Sequence, residues 1–138
     1  MKVILDTSVI VSGLFSPKGT PAQIIGHWMK GSFTLLYTQS MLTEYDDVLQ
    51  RAWLTERLAH VPDRVPEFLT AVIGLGEQVK GYVNVAGAVR DPFDEMFLAC
   101  AILGEADYLV SVDKDLLTLQ QIQRTVILMP GEFLPLIQ

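Results

Sequence analysis

The chain has 138 residues, half of them apolar, and a formal net charge of −6. That length suits one domain spanning residues 1–138 around one core, and the apolar share excludes a disordered chain. No apolar run approaches the roughly 18–20 residues that cross a bilayer, and the single Cys100 excludes an internal disulfide or a cysteine-built zinc cage.

The acidic sum lowers the expectation of a broad basic surface for nucleic acid. It does not say where individual charges lie, because acids can gather in one pocket while bases line its rim. The start, "MKVILDTSV", is too charged and its apolar run too short for a signal peptide, so a cytoplasmic protein without a membrane segment is expected.

In chain order, "KVILD" (2–6) is a short apolar run suited to a strand buried on both faces. A helix is predicted over 8–15, then a loop at "SPKGTP". Thr20 followed by Pro21 marks the start of a second helix that stops at Gly31. "FTLLYT" (33–38) predicts a second strand. Ser40 is the predicted cap of a helix running to Trp53, with Leu42, Tyr45, Val48, Leu49 and Ala52 at helical spacing. Further helix is predicted over 55–60 and over 63–76, the latter with Phe68, Leu69, Val72, Ile73 and Leu75 inward.

"KGYVNV" (80–85) is a weaker strand. "RDPFDEMFLACA" opens a helix to Leu103, "DYLVSV" (107–112) is a strong strand, 116–121 a short helix and "TVILM" (125–129) the last strand. "GEFLPLI" closes the sequence as a helical turn. Trp28 and Trp53 sit among apolar neighbours at helical spacing, which predicts core packing for both rather than base stacking. Cys100 in "FLACAI" is a predicted small buried hydrophobe.

Strands alternating with helices imply an α/β fold: an α/β/α sandwich around a mainly parallel sheet of about five strands. In such sheets ligands sit outside the carboxyl ends of the strands. Asp6 ends the first strand and Asp113 follows "DYLVSV"; Asp94 and Glu95 open the helix that feeds that strand, and Glu44 lies one turn into the helix after the second. Carboxylates from distant positions are thereby predicted at one edge. Like charges raise one another's pKa, and a divalent cation relieves the repulsion. Mg²⁺ and Mn²⁺ favour such oxygen ligands.

Each acid also has an ordinary structural reading. Asp6 in "DTS" can cap a helix, Glu44 can be a solvated flank residue, and Asp113 can belong to a turn in which Asp115 is the next cap. Asp91 before Pro92 is the natural start of its helix, with Asp94 three residues on as a box-like partner. Ser8 and Ser111 can serve the pocket or cap locally. The two histidines, His27 and His60, lie far from the acids in sequence, and neither a Gly-rich phosphate loop nor a Ser-His-Asp order is present.

The stretches "VILDTSVIVSGLF", "SMLTEYDDVLQR", "RDPFDEMFLACAI" and "DYLVSVDKDLL" resemble the four acidic motifs of the PIN-domain family, in order over nearly the whole chain. The form "RDPxD[DE]xFL" is similar to the subgroup regarded as toxins of toxin–antitoxin pairs. The resemblance implies a Mg²⁺- or Mn²⁺-dependent ribonuclease in which Asp6, Glu44, Asp94 or Glu95, and Asp113 hold metal. Many relatives carry aspartate at the position of Glu95, so this chain departs there by one methylene. Ser8, Ser111 and Asp115 are supporting candidates, and Lys18, Lys30, Arg51 and Lys114 are candidates for steering an RNA backbone. A protein antitoxin and a homodimer are the implied partners. Two other readings compete: a catalytically weak module that only engages an antitoxin, and a phosphoryl-accepting receiver-type domain. The latter needs paired acids after the first strand and an acceptor aspartate on the third, where "LDTS" and "YVNV" supply one acid and none.

Overall fold

The computed structural model describes residues 1–138. Its sheet has six strands: β1 (Lys2–Leu5), β2 (Thr34–Tyr37), β3 (Glu77–Gln78), β4 (Tyr108–Val110), β5 (Gln121–Ile122) and β6 (Thr125–Leu128), in the order β3-β2-β1-β4-β6-β5. Every neighbouring pair is parallel except β5 with β6. The helices are α1 (Thr7–Phe15), α2 (Thr20–Met29), α3 (Gln39–Leu49), α4 (Ala52–Arg57), α5 (Arg64–Leu75), α6 (Glu95–Gly104), α7 (Lys114–Leu119) and α8 (Pro130–Phe133). Short 3-10 turns lie at Pro92–Asp94 and Leu134–Leu136. The architecture is the α/β/α sandwich that the strand–helix alternation implies.

The central strand shows why the sequence takes this form. Val3, Ile4 and Leu5 are all fully buried, as a strand covered on both faces requires. Each such side chain contributes about 1.5–3 kcal/mol by leaving water. Register then positions the chemistry. Leu5 pairs with Val110, and the Asp6 N–H donates to the Val110 carbonyl, so Asp6 and Ser111 leave adjacent strands side by side.

Several expectations are corrected. The sheet has a sixth strand, β5, a two-residue antiparallel edge with no alternation to announce it. The stretch 80–85 is not a strand, because Gly81 (φ +119°) turns the chain off the sheet edge toward Leu103 of α6. Helix α3 is capped by Thr38, whose hydroxyl accepts from the Met41 N–H, and not by Ser40. Likewise α2 has Gly19 at its cap, with Thr20 already helical.

The helix predicted to reach Trp53 breaks at Arg51, which takes extended backbone. The break resets the helical phase so that Leu54 and Leu58 are buried, while Trp53 is 52% exposed. Trp28, by contrast, packs edge-on against Phe68 in the core. On α5 the inward stripe is Val65, Phe68 and Val72, which leaves Ile73 and Leu75 at 61% and 58% exposure, not inward. Cys100 is buried, and burial pushes its thiol up to about 12.

Candidate metal centre

The pocket at the carboxyl edge of the sheet is a cavity of about 330 Å³. Five carboxylates line it: Asp6, Glu44, Asp91, Asp94 and Asp113. Asp6 comes from the end of β1, Glu44 from α3, Asp91 and Asp94 from the turn before α6, and Asp113 from the turn after β4. Arg51 is the one basic side chain among the lining residues. Neither ion pair in the molecule, Lys2–Glu77 or Arg124–Asp107, involves any of these acids.

Asp6 occupies the cap position of α1, yet its side chain makes no cap bond. Its Oδ2 instead accepts from the Ser111 hydroxyl at 2.6 Å and the Ser8 hydroxyl at 3.0 Å. Ser111 is fully buried, and its Oγ also accepts from the Asp113 N–H at 2.9 Å. One hydroxyl thus ties the acid after β1 to the acid after β4. Burial raises the Asp6 pKa, the two serine hydroxyls pull it back down, and the Asp113 charge adds a further rise.

Asp91 behaves as its sequence position suggests and caps the 3-10 turn by accepting from the Phe93 N–H at 3.0 Å. Asp94 makes no cap bond; it is only 6% exposed, and its Oδ2 has no hydrogen-bond partner. Burial first, then the proximity of Asp113 and the charges of Asp6 and Asp91, raise its pKa to about 8. Asp113 caps α7 by accepting from the Asp115 N–H, so it has a structural bond as well as a place in the pocket. One carboxylate oxygen from each of Asp94, Asp113 and Asp115 lies within 4.8 Å of the others.

Glu95 sits elsewhere. It lines a neighbouring groove on the other side of the α6 start and accepts from the Gly87 N–H at 3.4 Å. Asp94 ends the 3-10 turn and Glu95 opens α6, and their side chains line separate pockets. Lys18, Lys30 and Lys114 are exposed and outside the pocket lining. Lys30 precedes β2 by four residues and so lies toward the amino edge of the sheet, away from the acids. Thr7, Phe93 and Tyr45 are among the contributors that sequence reasoning passed over. Thr7 and Phe93 line the pocket, Thr7 with a buried, unpartnered Oγ1 and Phe93 at 71% exposure. Tyr45, read as an apolar helix position, is fully buried and its hydroxyl donates to the Leu5 carbonyl beside Asp6. No pattern in the sequence marks Tyr45, because its partner is main chain.

An α/β/α sandwich with carboxylates that converge, without ion pairs, at the carboxyl edge of a parallel sheet defines a class: proteins able to hold a divalent cation at that edge. A PIN-domain family model matches residues 2–115, and the chain belongs to the PIN-domain family. No curated protein gives a match. The family carries a nuclease-type fold and generally uses divalent metal ions, which leaves no place for the receiver-type reading. The residues present fit such an ion. The donor set is all oxygen, and the orphaned Asp94 Oδ2 is a buried acceptor without a donor, the situation that a cation relieves. No helix is long and apolar enough to cross a membrane.

Proposed function

We propose that residues 1–138 form a single Mg²⁺- or Mn²⁺-dependent endoribonuclease unit, cytoplasmic, and that it is the toxin of a toxin–antitoxin pair held in check by a protein antitoxin. The observation that carries the nuclease reading is the pocket itself: five carboxylates, one arginine, and a buried Asp94 oxygen without a partner. The toxin reading rests on the motif "RDPFDEMFL".

In this reading Asp6, Glu44, Asp94 and Asp113 are the ligands and catalytic acids, with Asp115 completing the cluster. Glu95 is left out because it faces the neighbouring groove. A divalent ion held there supplies Lewis acidity and positive charge to a phosphodiester. The chain's own groups prepare the site. Ser8 and Ser111 favour ionised Asp6, and Ser111 fixes Asp6 relative to Asp113. Arg51 offers a cation at the pocket for a phosphate oxygen. A homodimer is part of the proposal, with exposed Ile73 and Leu75 of α5 as apolar surface available to it.

Asp6→Asn tests the reading. Its melting temperature should stay close to wild type while RNA cleavage, measured with Mg²⁺ or Mn²⁺ and with EDTA, disappears. Cleavage that survives in Asp6→Asn, or that wild type performs in EDTA, contradicts it.

A further inference from the structure

Beside the acid pocket lies a second groove of about 420 Å³, within the roughly 300–1,000 Å³ range of sites that enclose a small organic group. Consecutive residues divide the two: Asp94 lines the acid pocket, Glu95 and Met96 the groove. The groove also carries Gln39, Gln78, Lys80 and Tyr82. Tyr82 is 85% exposed, the most exposed of the large apolar and aromatic side chains, although the segment around it reads as strand. The main chain of 80–84 makes no hydrogen bond to other main chain. That segment is held instead through Val83 and Val85, which are partly buried and line the groove.

An exposed aromatic ring, a lysine two residues away, two amides and a carboxylate over an apolar floor form the set that takes an unpaired nucleobase. The ring stacks on the base, the ammonium meets a phosphate, and the polar groups read the base edge. From this we infer that the groove is a nucleotide subsite for the strand that enters the acid pocket, with Tyr82 stacking on one unpaired base and Lys80 on its phosphate. Glu95 sets the preference within it. A carboxylate only accepts, and guanine alone presents two adjacent donors, N1–H and N2–H, on its Watson–Crick edge. Guanine is therefore the favoured base, and Glu95 is a specificity-determining residue. The inference rests on the nuclease reading for the identity of the strand.

Binding of labelled single-stranded hexaribonucleotides, all uridine or with one guanosine, to metal-stripped wild type in EDTA tests it without cleavage. Wild type should bind the guanosine oligonucleotide more tightly. Tyr82→Ala should weaken both by roughly tenfold. Lys80→Ala should reduce the salt dependence by about one phosphate contact. Glu95→Gln should abolish the preference while the melting temperature holds. Absence of wild-type binding overturns the inference. So does indifference to all three substitutions, which would leave the free edge of 80–84 to a partner protein's strand. RNA cleavage by wild type with Mn²⁺ is scored separately. Its loss defeats the nuclease reading, whereas intact cleavage with unaltered binding in the variants defeats only the subsite.

Discussion

Ser111 makes two bonds that join the acid after β1 to the acid after β4. It donates to Asp6 Oδ2 and accepts from the Asp113 N–H while wholly buried. Ser111→Ala removes both, leaving the Asp113 N–H without that acceptor and Asp6 with Ser8 as its remaining hydroxyl donor. A bond to a charged group contributes about 1.5–3 kcal/mol, so urea denaturation should show a loss of about that size. The Asp6 pKa should also rise, since one of the groups that lowers it is gone. Affinity for Mn²⁺ near neutral pH should then fall more than stability alone accounts for, as a Mn²⁺ titration of the folded variant would show. At this scale strand-end position pointed to Asp6 and Asp113, at the edge where such sheets bind, whereas Glu44, a helix-flank residue by position, was assigned as a ligand only through the family resemblance. The sequence left Asp94 and Glu95 undivided, since the choice depends on where a 3-10 turn hands over to α6, a matter of one residue's phase.

Elements were legible where burial imposes a period and obscure where it does not. The core strands β1, β2, β4 and β6 are apolar runs, and their positions follow from the sequence. The edges β3 and β5 are two residues each, too short for any alternation, and "KGYVNV" carries strand-forming residues that the fold uses against α6 instead of in the sheet. The α3–α4 break was equally hidden, as no glycine or proline marks Arg51. Close packing of α1 on α2 is another feature that periodicity does not reveal, and it depends on Gly13. A Cβ there would collide with the Ile25 side chain and lie 3.2 Å from the Pro21 main chain. Ile25 can rotate away, but the Pro21 backbone cannot do so without moving α2. Gly13→Ala should therefore destabilise by about 1–3 kcal/mol despite alanine's better helix propensity, and thermal unfolding would register it. A variant as stable as wild type would mean that the two helices separate freely.

Across the whole molecule, the acid pocket couples stability to both pH and metal. The Asp94 pKa is raised from 3.8 to about 8 in the folded chain. Below about pH 4 the carboxyl is protonated in both the folded and unfolded states, and its contribution to stability is fully present. As pH rises toward 8 the unfolded chain gives up the proton readily while the folded chain retains it, so unfolding releases protons and stability falls. The metal-free protein should accordingly lose melting temperature between about pH 5 and 8, at about 4 °C for each 1 kcal/mol in a chain of this size. A divalent cation binds only the folded pocket and competes with that proton, so its stabilisation should grow over the same interval, reaching about 2.7 kcal/mol at a hundred times its dissociation constant. Asp94→Asn separates the two effects. The amide has no proton to hold and no charge to offer, so the variant's melting temperature in EDTA should fall less with pH and exceed wild type at pH 8, while added Mg²⁺ or Mn²⁺ should raise it little. Melts of both proteins in EDTA and in excess MnCl₂ across that interval provide the measurement. A variant that matches wild type in both its pH slope and its response to Mn²⁺ would remove Asp94 from the centre, and with it the physical reason for gathering these acids at one edge.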